Sequence, residues 1–221
     1  MTIYAGTIVD TPGDPFDGDP ADALAEAGAV CVREGVICAR GTLAALCAEY
    51  PGEPVTQLPD GMLVPGFVDA HVHFPQIRAI GGLGMPLLDW LEQCALPEES
   101  KLASRAYARE VAGEFLCGLL ASGTTSALVF GSHFASAMEE LFTTAERTGL
   151  NITSGLVLSD RILRPDLLNS PETALADSAD LIGRWHDRGR LRYAVTPRFS
   201  DRKSTRLNSS HIQKSRMPSS A

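Results

Sequence analysis

The sequence predicts an α/β fold: an incomplete (β/α)8 barrel of the TIM type, about four βα units long, behind a small amino-terminal β domain. Three observations carry this. Residues 1–62 are rich in β-formers and turns, the chain from residue 63 alternates apolar strand runs with helical stretches, and the first of those strands ends in polar residues within PGFVDAHVHFPQ. Strands alternating with helices imply a parallel sheet, and polar groups at a strand's carboxyl end favour a barrel over a doubly wound sheet. No glycine fingerprint of the dinucleotide or P-loop type follows any strand. A complete barrel needs eight strands in roughly 250 residues, and only four strands are predicted after residue 63.

The elements follow in order. TIYAGTIVDTP reads as a strand, GAVCVREGVICARG as a hairpin turning at Arg33-Glu34-Gly35, and TLAALCAEYP as a short helix. Strands are then expected at 63–72, at TSALVFG (125–131), at NITSGLVLS (151–159) and at RYAVTPRF (192–199). Helices with apolar residues three to four apart fill the gaps at 101–123, 135–149 and 171–189, and glycine supplies their stop signals. The expected division is a small, incomplete β domain at 1–62, the first half of a barrel at 63–200, and a tail at 201–221. That tail holds five basic residues against one acidic, six serines and no apolar periodicity. It resembles translated adapter or vector sequence, is expected to be non-native, and is set aside from fold and site reasoning.

Composition narrows the function. Of 221 residues, 44% are apolar and 21% charged, as in ordinary globular proteins. A net charge of −8 argues against a nucleic-acid partner and for a small molecule. No apolar run approaches membrane-spanning length, and no basic-then-apolar leader opens the chain, so a cytoplasmic location is expected. The five cysteines show no CxxC spacing and read as reduced, buried small hydrophobes.

Side chains alternate along a strand, so Phe67, Asp69, His71 and His73 are expected on one face and Val68, Ala70, Val72 and Phe74 on the other. The polar face would line the barrel's carboxyl-terminal mouth. Each polar group buried there without a partner costs about 1 to 3 kcal/mol, and a divalent metal removes that cost. Neutral imidazoles suit Zn²⁺, and iron is also compatible with such ligands.

The run proline-glycine, apolar strand, aspartate, HxH resembles the metal-binding signature of the amidohydrolase superfamily. Within it the chain is similar to the guanine deaminases. Gln76 follows the histidine pair as in HxHxxQ, MPLLDWLEQCALPEE (85–99) resembles their Leu-Leu-acidic-Trp-Leu block ending in Pro-x-Glu, SGTTSA (122–127) their second-strand entry, and VTPRFS (195–200) their fourth-strand motif. The resemblance implies a single Zn²⁺ that deprotonates water for attack on C2 of guanine, with release of ammonia and xanthine. It implies that His71 and His73 are metal ligands, that Gln76 and Arg198 hydrogen-bond the purine edge, that Phe199 stacks on the ring, and that Leu88 and Trp90 form apolar walls. His133, in FGSHF, receives no role from the resemblance. His186 is expected to face solvent, and His211 lies in the tail.

The family's further histidine ligands from strands five and six, its strand-eight aspartate and its proton-shuttling glutamate have no counterpart in these residues. No catalytic acid or base is therefore assigned, and the polypeptide is expected to be an inactive amino-terminal portion of an enzyme that is a homodimer at full length. Two alternatives stay open: an aminohydrolase of the same superfamily acting on a triazine, cytosine or modified purine, and a non-catalytic metal-binding module.

Overall fold

Strand β1 (Thr2–Asp10) pairs antiparallel with β2 (Leu24–Arg33) and parallel with β4 (Val55–Leu63), in a sheet ordered β3-β2-β1-β4. The computed structural model that shows this describes residues 1–10 and 24–198. Strand β3 (Val36–Gly41) returns from β2 through Glu34 and Gly35, whose φ angles of 51° and 77° are those of the tight turn that matches strand twist. Thr42 caps helix α1 (Leu43–Glu49) by accepting the Ala45 N–H at 3.2 Å. Ile3, Ala5, Ala29, Cys31 and Leu46 close this small core. They lie within the first of two compact units, Met1–Gly66; the second begins at Phe67.

The second unit is built on four parallel strands in the order β5-β6-β7-β9: β5 (Phe67–His73), β6 (Thr124–Phe130), β7 (Asn151–Gly155) and β9 (Leu191–Tyr193). Beyond the ends of the last two, β8 (Val157–Leu158) and β10 (Thr196–Pro197) pair in parallel. A chain segment Phe74–Ala79 in 3-10 conformation leaves β5. Helix α2 (Leu87–Trp90) then runs through a π-helical turn, Leu91–Ala95, into α3 (Leu96–Lys101). Helices α4 (Arg105–Ala121), α5 (Ala135–Thr148) and α6 (Pro171–Trp185) occupy the crossovers. Strand, helix, parallel strand repeated three times is the first part of a (β/α) barrel.

The helices bury the residues their spacing selects: Ala108, Val111, Ala112, Phe115, Leu116 and Leu119 on α4; Ala137, Met138, Leu141, Phe142 and Ala145 on α5. These meet Ala127, Val129, Ile152 and Leu191 of the sheet in one apolar core. Between α4 and α5 the buried carboxylate of Glu140 accepts from Arg105 and from Arg109, the latter at 2.8 Å. No helix among the described residues is long and apolar enough to cross a membrane.

Several boundaries differ from expectation. The strand expected at 63–72 starts at Phe67, because Leu63 still belongs to β4 and a three-residue connector intervenes. Helix α4 starts at Arg105, where Ser104 caps it, and α6 ends at Trp185, because Asp187 adopts a left-handed φ of 60° and halts the helix four residues before its expected end. The cysteines also divide. Cys31 is buried and Cys94 half-buried, but Cys38, Cys47 and Cys117 are exposed, being on surfaces that the described residues leave uncovered.

Candidate active site

The histidine pair stands at the carboxyl end of β5. Its register with β6 slips by one residue between Asp69 and Val72, so strict alternation is interrupted by a bulge. Asp69 serves that bulge: its Oδ1 accepts the His71 backbone N–H at 3.0 Å, a local turn contact that the expected inward-facing row did not include. The two imidazoles converge all the same. Their Nε2 atoms lie 3.2 Å apart, close to the about 3.3 Å that separates two nitrogens bound to one tetrahedral zinc. The ring of His73 stacks on Phe130 at 4.4 Å between centroids. Spacing, atom type and donor chemistry therefore fit a shared divalent metal, with two ligands supplied by the described residues.

A second polar group also approaches Phe130, whose ring has the Arg198 guanidinium 5.8 Å from its centroid. Arg198 is 4% exposed. It is positioned by the pairing of β10 with β8, which continues in the bond from its backbone N–H to the Leu158 carbonyl at 2.9 Å. Its Nη1 donates to Glu99 Oε2 at 2.5 Å, and Gln76 Nε2 donates to Glu99 Oε1 at 2.7 Å. Thus one buried carboxylate from α3 receives one donor from the turn after β5 and another from the residue that follows the last strand, across 99 residues of sequence.

His133 completes this group. Its Nδ1 is 3.5 Å from Glu99 Oε2 and its Nε2 is 3.3 Å from Ser159 Oγ. Asn169 holds the surrounding loops together, donating to the His133 carbonyl at 2.9 Å and accepting the Ser159 N–H at 3.2 Å. Burial, followed by the positive charge of Arg198, pushes the His133 pKa from 6.5 down to about 3. The imidazole is neutral at physiological pH because a second cation beside Arg198, away from water, would be unfavourable.

The residues expected at the site thus fall into distinct places. His71 pairs with His73, and Gln76 meets Arg198 through Glu99. Trp90 is half-buried and donates its indole N–H to the Ala79 carbonyl at 3.2 Å, while Leu88 on the same short helix is 76% exposed. Phe199 and His211 lie outside the described residues. His186 is 44% exposed and accepts the Tyr193 N–H at 3.1 Å, so it fastens the end of α6 to β9. Sequence reasoning assigned no role to Glu99 or Phe130. An acidic residue two positions after Pro97, in the first turn of a helix, ordinarily faces water, so only its place in the LPEES run signals it. Phe130 looks like one more strand apolar residue.

Known proteins resemble this chain in sequence and in fold. The amidohydrolase family profile matches residues 62–199, and an imidazolonepropionase-like composite domain profile matches residues 28–52. The chain belongs to the amidohydrolase family. A probable guanine deaminase of Deinococcus radiodurans is 52% identical over 205 residues, covering 90% of this chain and 47% of that protein. The solved guanine deaminase of E. coli superimposes with a TM-score of 0.85 at 33% identity, over 90% of this chain and 47% of that one. The guanine deaminase of C. acetobutylicum, solved with guanine in its active site, gives 0.80 at 26% identity over 90% and 46%. The chain spans about half the length of these relatives.

Proposed function

We propose that the chain is the amino-terminal half of a zinc-dependent guanine deaminase, which replaces guanine's exocyclic amine with oxygen from water to give xanthine and ammonia. The observation that carries this reading is the convergence of His71 and His73 Nε2 atoms 3.2 Å apart, with Phe130 near both His73 and the Arg198 of the Arg198–Glu99–Gln76 group. His71 and His73 would hold the metal. Zinc supplies Lewis acidity there, lowering the pKa of a bound water to about 7. Arg198, a donor only, suits the purine's carbonyl oxygen. Gln76 has its amide nitrogen turned to Glu99, so its Oε1 is left to accept from the ring N–H or amine. Phe199 would stack on the ring, with Trp90 and Leu88 as apolar walls. The 52% identity to the Deinococcus protein and the guanine held by the Clostridium structure support the same substrate.

In this reading residues 1–62 form part of a composite β domain, the full-length enzyme is a cytoplasmic homodimer, and its partners are guanine and water rather than nucleic acid or membrane. The isolated chain is inactive, because a catalytic zinc normally needs at least three protein ligands. The test uses the full-length enzyme, assayed for conversion of guanine to xanthine beside cytosine and a triazine. Guanine turnover is expected to exceed both, and His71→Ala to lower bound zinc from one per chain to near zero. Absence of guanine turnover, or unchanged zinc content in the variant, refutes the assignment.

A further inference from the structure

We infer that Glu99 is a positioning residue for purine recognition, a carboxylate that sets Arg198 and Gln76 in the orientation their contacts with the substrate require. This rests on the proposed guanine-deaminase reading. The side chain is 3% exposed, yet both of its oxygens are used: Oε1 by Gln76 Nε2 at 2.7 Å and Oε2 by Arg198 Nη1 at 2.5 Å. A carboxylate is an acceptor at both oxygens. That property decides two otherwise open choices.

The first choice is the Gln76 amide, whose two ends differ by a flip. A carboxylate beside it accepts only from the nitrogen, so the amide oxygen is turned away. The second choice is the Arg198 rotamer. A guanidinium at 4% exposure has no water to compensate its charge, and Glu99 is the carboxylate that anchors it from α3. His133, neutral at 3.5 Å, adds no competing charge to the group. Glutamine at position 99 would offer one oxygen and one amide nitrogen, so one of the two donors would face another donor.

The geometry also fixes where the control sits. Gln76 belongs to the turn after β5, and Arg198 follows directly on β10, the strand paired with β8. Glu99 on α3 joins them, so a shift of α3 moves both groups that read the purine. It touches neither His71 nor His73 in any contact described above, and its influence on the reaction runs through its two partners.

The full-length enzyme carrying Glu99→Gln is expected to lose guanine kcat/KM on the order of 100-fold, the scale of an ångström-sized misplacement. Zinc content is expected to stay at one per chain. Arg198→Met and the Glu99→Gln/Arg198→Met double variant complete the comparison: the double is expected to be no slower than Arg198→Met alone, because with the arginine gone the one amide oxygen left at position 99 still accepts from Gln76 and no second donor is left to face the amide nitrogen. Losses that multiply in the double variant, or a Glu99→Gln enzyme as fast as wild type, overturn the inference. Glu99→Asp keeps both acceptors but withdraws them by one methylene, and serves if Glu99→Gln does not fold. It is expected to show native circular dichroism with at least a roughly tenfold loss of kcat/KM, and wild-type kcat/KM in it overturns the inference equally. Failure of the underlying reading looks different: wild type then does not turn over guanine, or Arg198→Met spares that turnover.

Discussion

Acidification tests the buried imidazole of His133 directly. An unfolded histidine takes up a proton as pH falls through 6.5, whereas folded His133 resists protonation until about 3. The folded pKa is depressed, so the unfolded state binds more protons throughout this window and stability falls as pH drops below 6.5. At pH 5.0 the linkage amounts to about 2 kcal/mol relative to pH 7.5. With a urea m-value of about 2 kcal/mol/M, the unfolding midpoint moves down by about 1 M. Urea titrations of this chain at the two pH values, followed by fluorescence of Trp90 and Trp185, measure it. The carboxylates held below their usual range, Glu98, Glu114, Glu140 and Asp166, lose their contributions only as pH falls below the ordinary values of 4.5 and 3.8. His133→Gln, which keeps a polar group near Ser159, is expected to lack the 1 M shift. Equal shifts in wild type and variant would show that His133 accepts its proton without resistance, and the buried-group account of the site would fail.

The core and the strand ends offer further tests. Phe142 is fully buried and stacks on Trp185 at 5.7 Å, so Phe142→Ala is expected to cost about 3 to 5 kcal/mol in urea unfolding; a loss below about 1 kcal/mol would mean that α5 and α6 are not packed as described. A β-carbon at Gly155 would lie 1.8 Å from the Ala194 carbonyl oxygen, where β7 meets the chain leaving β9. Gly155→Ala is therefore expected to abolish soluble, cooperatively unfolding protein, while the exposed Gly52→Ala serves as a control for turn strain alone, its φ of 85° having open space around it. In the full-length enzyme, loss of zinc with His71→Ala and loss of guanine turnover with Glu99→Gln are expected to separate the proposed metal-binding pair from the proposed purine-reading group.

Local chemistry was legible along the chain. The alternation of strand and helix follows from periodicity that any segment carries alone, and the helices bury the very residues that their three-to-four spacing marks, from Ala108 to Leu119 on α4 and from Ala137 to Ala145 on α5. HxH declares itself because two imidazoles separated by one residue share a strand face, a relation that needs no knowledge of the remainder. The bulge at Asp69 did not show, since a register slip is a property of two strands together.

Residues in linear order name the HxH pair, the βα rhythm and the arginine after the last strand, because each is a pattern within a few positions. Folding in three dimensions was needed to bring Glu99 to Gln76 and Arg198, to set Phe130 near both Arg198 and His73, and to take His133 out of water. Burial and long-range pairing belong to no single segment: a glutamate in a helix's first turn is solvated or sequestered according to what a strand 99 positions away places above it.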